Sequence, residues 1–169
     1  MSTVQSFDQF VKFLGDNKVP NRADAERQII ELPSKGEPLP GNLLIKWEKQ
    51  VPFLQIIHFM IENVPVDRIH EIETAIIRLD NRLEVGGFGF DHTSNRLYNR
   101  LTVPVIPPNG IDPMAISQLG HGVVRSAKEF LEVFQEIVGG KPGDQVFTLL
   151  DAIVAKRKAE ATTNGGAQA

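Results

Sequence analysis

A strongly apolar run, VPFLQIIHFMI at 51–61, predicts a buried strand. The run is too short to span a membrane and too rich in Ile and Phe to be a loop. Read with a period of two, it divides into two sets of side chains, and both sets are mostly apolar. A strand of an antiparallel sheet usually has one core face and one solvated face. The second face of this strand therefore needs a cover, which the rest of the chain or a partner could supply.

The periodicity on either side of this run predicts the remaining elements. Helices are expected from Ser6 to about Gly15, from Pro65 to before Gly86, from Asp112 to about Val138, and from near Asp144 to the three basic residues at 156–158. Strands are expected at 28–32, 43–49, 51–61, 88–91 and 96–105, although the segment that contains 28–32 could also be helical. This order indicates an α+β domain over 1–160: one antiparallel sheet of about five strands with helices on one face, plus an extra C-terminal helix. Residues 161–169 have nothing to bury and are predicted to be a disordered tail.

The alternation along the strands predicts which side chains face the helices. We assign to the helix face Leu43, Ile45, Trp47, Phe53, Ile57, Phe59, Leu97, Leu101 and Val103. The opposite face then presents Leu44, Lys46, Leu54, Ile56, His58, Met60, Tyr98 and Arg100. Leaving Leu54, Ile56 and Met60 uncovered would forgo about 1.5–3 kcal/mol each, so this face should be covered. An apolar centre with Tyr, Arg and His at its rim is typical of a protein interface, and we predict these eight residues to bind a partner. The C-terminal helix or a second copy of the chain are the alternative covers.

Composition and charge narrow the classes of function. A chain of 169 residues can bury a core without a metal or disulfide, and the absence of cysteine excludes disulfides and thiolate metal sites. A net charge of −3 disfavours nucleic acid as the main partner, since phosphate binding requires a concentrated basic surface. The N-terminus has neither the basic nor the apolar part of a signal peptide, and no run is long enough to cross a membrane. We therefore expect a cytoplasmic protein.

No pattern in the sequence favours catalysis, a metal or another cofactor. The four histidines, His58, His70, His92 and His121, have no second ligand at local metal-binding spacing. The glycines at 86–89 lack the Lys-Ser/Thr of a phosphate-binding loop and instead indicate a sharp turn from helix to strand. Gly120 and Gly122 interrupt a long predicted helix and indicate either a close approach to the sheet or a weak point in the helix. We predict a protein that is not an enzyme.

The order of elements over residues 5–140 resembles the type III secretion chaperone-like fold. The segment FDHTSNRLYNRLTVPV, with the helix that follows it, is similar in arrangement to YbjN-like members of that fold. The segments NLLIKWEKQVPFLQIIHFMI and LTVPVIPPNGIDP look more narrowly like a cyanobacterial group to which a carboxysome assembly chaperone belongs. That resemblance implies a cytoplasmic protein that binds the C-terminal extension of a shell protein. It carries over no binding motif, so the predicted site residues depend on the sheet-face argument alone.

We therefore predict a binding protein that acts as an assembly factor or chaperone and captures a segment of a partner protein, with homodimerisation as a further option. The alternative is a YbjN-like sensory or regulatory domain that binds a signalling partner or a small ligand.

Overall fold

A computed structural model of the chain describes residues 3–33, 42–80, 83 and 86–165. The strands are β1 (Arg22–Asp24), β2 (Ile29–Leu32), β3 (Leu43–Trp47), β4 (Phe53–Ile61), β5 (Gly87–Asp91) and β6 (Arg96–Pro104). The helices are α1 (Phe7–Asp16), α2 (Ile69–Asp80), α3 (Pro113–Val138) and α4 (Gly143–Gly165), with a 3₁₀ turn at Val66–Arg68 before α2. The strands form one antiparallel sheet in the order β1-β2-β3-β4-β6-β5.

The predicted fold class is confirmed: an α+β structure with one antiparallel sheet, helices on one of its faces and a C-terminal helix. The sheet has six strands where about five were predicted, because no strand was predicted at 22–24. All three residues of β1 are exposed, so the strand lacks the alternation that would reveal it. Helix α4 includes residues 161–165 of the predicted tail, while 166–169 lie outside the described residues, as does the predicted end of α2 before Gly86.

Side-chain caps fix where α1 and α3 begin. The hydroxyl of Ser6 accepts a hydrogen bond from the backbone N–H of Gln9 at the start of α1. Asp112 accepts one from the N–H of Met114 at 2.9 Å, and Pro113 occupies the first position of α3, where its missing N–H has no cost. Both predicted helix starts are therefore confirmed.

The register of β4 corrects the predicted assignment of faces. Ile45 on β3 pairs with Ile56, and Trp47 pairs with Leu54, so these side chains share one face of the sheet. That face is the one covered by helices, because Leu54 and Ile56 have no exposed surface. The prediction was right for β3 and β6 and wrong for β4, whose two alternating sets are exchanged.

Two hydrophobic clusters lie between the sheet and the helices. One joins α1 and the first half of α3 to β2, β3 and β4, and we call it the α1 cluster. The other joins α2, the second half of α3 and α4 to the strand residues Met60, Phe88 and Leu97, and we call it the α4 cluster. Along β4, Ile56 belongs to the first cluster and Met60 to the second, which places His58 at their boundary.

Candidate functional site

The predicted partner-binding residues divide between the two faces of the sheet. Leu44, Lys46, Tyr98 and Arg100 lie on the face without helices, which we call the open face. Leu54, Ile56, His58 and Met60 lie beneath the helices and are at most 1% exposed. The prediction that these four side chains lie on an uncovered face is wrong. Their places on the open face are taken by Phe53, Gln55, Ile57 and Phe59.

The open face is covered in part by its own aromatic and cationic side chains. The rings of Phe59 and Tyr98 meet edge to face with centroids 6.1 Å apart. The guanidinium of Arg96 lies over the Phe59 ring, 3.9 Å from its centroid, and also forms an ion pair with Asp91. The Tyr98 ring lies against the backbone of Gly89, where a Cβ atom would overlap it. This face therefore keeps Leu44, Ile57 and Phe59 half-buried without a helix above them, while Phe53 is exposed.

A cleft of about 600 Å³ opens on the other side of the sheet, between α1 and the first half of α3. Its floor is formed by side chains of β2, β3 and β4. The lining side chains include Phe10, Phe13, Leu32, Leu43, Ile45, His58, Met114, Ile116, Ser117 and His121. The cationic side chain of Lys18 lines the mouth, and among the described lining residues there is no carboxylate. The cleft thus offers an apolar surface with positively charged or neutral polar groups.

Gly120 allows α3 to lie close to the sheet at the floor of the cleft. It is buried, and a Cβ atom there would lie 2.9 Å from Cδ2 of Leu43. A Cβ atom at Gly122 would instead point into open space. Of the two interpretations of these glycines, the close approach is therefore correct at Gly120.

His58 is the unusual residue of the cleft. It has no exposed surface, and neither ring nitrogen has a hydrogen-bond partner among the described residues. Burial lowers the pKa of His58 below its ordinary value of 6.5, so the imidazole is neutral at pH 7, with one donor and one acceptor nitrogen. Asn99 lies directly opposite on β6, but its amide donates to the carbonyl of Val123 at 3.2 Å. Leaving a buried polar group unpaired costs about 1–3 kcal/mol. A residue kept at that cost requires an explanation.

We expect the depressed pKa of His58 to make the fold less stable in acid. The unfolded chain binds a proton at this residue near pH 6.5, whereas the folded chain binds it only at lower pH. The free energy of unfolding should therefore fall as the pH drops below about 6.5 and level off below the folded pKa, with a slope of at most about 1.4 kcal/mol per pH unit. Urea unfolding at a series of pH values measures this change in the free energy of unfolding.

The control for this prediction is His58→Leu, which removes the titrating group and keeps the side-chain volume similar. Subtracting its pH profile from that of the native chain isolates His58 from the exposed His70, His92 and His121. Identical profiles in the two proteins would show that His58 titrates normally in the folded state.

The remaining cleft residues were not predicted as functional from the sequence. Met114, Ser117 and His121 lie on the first turns of α3, and Phe13 lies on α1 beside Phe10 at a centroid distance of 6.2 Å. Met114 is an apolar residue that is 53% exposed at the start of α3, but only the structure shows that exposure. Nothing local in the sequence brings α1 and α3 to the same part of the sheet.

Comparison with known proteins shows the fold. No protein-family model matches the chain, and no curated protein sequence matches it. Its structure is similar to that of YbjN from E. coli, described as a candidate transcription regulator, with a TM-score of 0.54, 13% identity, and 81% of this chain and 92% of that chain covered. It is also similar to a chain of the HopA1-SchA chaperone-effector complex, with a TM-score of 0.51, 14% identity, and 75% and 90% covered. A chain of the ExsC-ExsE complex gives a TM-score of 0.56, 12% identity, and 78% and 96% covered.

These similarities confirm the predicted resemblance to YbjN and to the chaperone-like fold at the level of the fold. In the part of the chain that the structure describes, no helix is both long enough and apolar enough to cross a membrane. Within the same residues, no cluster of three or more His, Cys, Asp or Glu side chains could hold a metal ion.

Proposed function

We propose that this chain is a non-enzymatic binding protein that acts as a chaperone or assembly factor by holding a segment of a partner protein in the cleft between α1 and α3. The observation that carries the proposal is the apolar cleft with the unpaired His58 imidazole at its floor. A large apolar pocket with a few polar groups directed at it is the usual form of a binding site. The similarity to chains found in a chaperone-effector complex and in the ExsC-ExsE complex supports a protein partner by analogy of fold.

The partner that the sequence resemblance suggests is the C-terminal extension of a carboxysome shell protein, met in the cytoplasm. The lining of the cleft suits an apolar segment that carries no excess of positive charge, because the cationic Lys18 lines it and, among the described lining residues, there is no carboxylate. Such an extension, synthesised as a fluorescently labelled peptide, is therefore the probe for the proposal.

We expect Ser117→Trp to weaken binding of this peptide at least tenfold. Ser117 is an exposed residue of α3 that lines the cleft, so an indole there would occupy the space proposed for the partner without disturbing the core. Fluorescence anisotropy measures the affinity, and circular dichroism verifies the fold.

The matched control is Thr102→Trp, which places the same indole on the open face beside Arg100. It should leave the peptide affinity unchanged. The opposite result, with loss at Thr102 and none at Ser117, would move the binding site to the open face and to the predicted residues Leu44, Lys46, Tyr98 and Arg100. If the peptide shows no measurable binding to the native chain, the shell-protein partner is excluded.

The open face is the surface that we propose for a second copy of the chain, if the protein forms a homodimer. Its half-buried Ile57 and Phe59 would gain further burial in such a contact. Sedimentation velocity of the native chain and of Thr102→Trp tests this arrangement, because the indole would obstruct a symmetric contact through that face.

The second candidate function is a YbjN-like regulatory domain that binds a small ligand. The volume of the cleft favours it, since 600 Å³ lies within the range of about 300–1,000 Å³ usual for small-molecule sites. A thermal-shift screen with nucleotides and metabolites tests this candidate, because a ligand that binds only the folded chain raises its unfolding temperature by mass action. A midpoint shift that disappears in Ser117→Trp would place the ligand in the cleft.

A further inference from the structure

The buried imidazole gives the cleft a chemical preference that its apolar lining alone would not. Phe10, Phe13 and Leu43 would accept any aromatic or aliphatic side chain of suitable size. His58 differs from them, because it lines the cleft and neither of its ring nitrogens has a hydrogen-bond partner among the described residues. An apolar occupant would leave these nitrogens unpaired, whereas an occupant with a polar tip could pair one of them.

We infer that His58 determines the specificity of the cleft by forming a hydrogen bond to the hydroxyl of an aromatic anchor, so that the partner segment inserts a tyrosine in preference to a phenylalanine. This inference rests on the proposed function, in which the cleft holds a segment of a partner protein.

The chemistry of a phenol matches both parts of the cleft. Its ring supplies apolar area to the aromatic and aliphatic walls, and its O–H can donate to the acceptor nitrogen of a neutral imidazole. Serine and threonine carry a hydroxyl but offer little apolar area to the aromatic and aliphatic walls. A lysine or arginine would bring a second positive charge into a cleft already lined by Lys18 and, among the described lining residues, by no carboxylate.

A side chain must move before the hydroxyl can reach His58, since the imidazole has no exposed surface in this structure. Leu43 is placed to do so. It pairs directly with His58 across β3 and β4, it is half-buried, and it lines the cleft. On this proposal, a rotation of the Leu43 side chain about its own bonds uncovers the ring.

The probes for this inference are N-acetyl-tyrosinamide and N-acetyl-phenylalaninamide, which differ by one hydroxyl. Titrations of the ¹⁵N-labelled full chain followed by NMR give both affinities and show whether the shifted amides line the cleft. We expect the tyrosine compound to bind the native chain about tenfold more tightly, which corresponds to about 1.4 kcal/mol. In His58→Leu the preference should vanish or reverse.

A second measurement separates specificity from a structural role. If His58 is kept for recognition, His58→Leu should unfold at an equal or higher urea concentration than the native chain, because it removes an unpaired buried polar group. His121→Leu changes an exposed imidazole at the rim of the same cleft and should keep the preference for tyrosine.

Equal binding of the two compounds to the native chain, a preference that survives in His58→Leu, or no shift at any cleft residue would each overturn the inference. Failure of the proposed function gives a different result, since the shell-protein peptide would then bind Ser117→Trp as tightly as the native chain. If that peptide depends on Ser117 while the two compounds bind equally, the cleft is the binding site and His58 does not select its occupant.

Discussion

Replacing Ile56 by Asp is expected to unfold the chain. Ile56 has no exposed surface and lies in the α1 cluster beneath the helices. The substitution removes a buried aliphatic side chain, which costs about 2–5 kcal/mol for comparable truncations, and adds a carboxyl group that must be buried either unpaired or protonated, at a cost of several kcal/mol more. The sum approaches the total stability of about 5–15 kcal/mol that is typical of such domains. Far-UV circular dichroism and thermal unfolding measure the result.

The neighbouring residue supplies the control. Ile57 is on the same strand but points to the open face, where it pairs with Leu44 and Arg100 and keeps part of its surface exposed. Ile57→Asp should therefore give a folded protein with a cooperative transition. A folded Ile56→Asp together with an unfolded Ile57→Asp would restore the face assignment made from the sequence and contradict the register described above.

The sequence was sufficient for most elements and for the fold class because their signals are local. The alternation of Arg96, Tyr98 and Arg100 with Leu97 and Leu101 distinguishes the two sides of β6 by polarity alone. Asp112 followed by Pro113 marks the start of α3 without reference to any other element. Such signals predict the type and position of an element wherever the two sides differ in chemistry.

The faces of β4 could not be predicted in this way because its two sides are chemically alike. Each alternating set is mainly apolar and contains one polar residue, Gln55 in one set and His58 in the other. The decision depends on the register with β3, which pairs Trp47 with Leu54 across the connection at 48–52. A shift of one residue in that register exchanges the two faces, and the turn sequence does not define it.

The cleft was missed for a different reason. Its lining comes from α1, three strands and α3, so its existence depends on where the two helices lie relative to the sheet. His58 was singled out, but as a rim residue of the opposite face. The cost of an unpaired imidazole becomes visible only when its neighbours are known, and here they are Leu43 and the amide of Asn99, which already donates elsewhere.

Replacing Phe130 by Ala is expected to lower the free energy of unfolding by about 3–5 kcal/mol. Phe130 on α3 is 1% exposed and packs edge to face on Phe88 of β5, with ring centroids 5.8 Å apart. Truncation removes this aromatic contact and leaves a cavity in the α4 cluster that the sheet and three helices can fill only in part. Urea unfolding measures the loss. The slope of the free energy of unfolding against urea concentration should stay unchanged.

Phe59→Ala is the matched truncation on the open face, where the ring is half-buried beside Tyr98 and Arg96. It should cost less than half as much as Phe130→Ala, because half-exposed apolar surface gains less from folding than surface fully removed from water. Equal losses would mean that the open face is as thoroughly covered in solution as the core is. The described helices all lie on the other face. If a second molecule supplies that cover, the loss at Phe59 should depend on protein concentration.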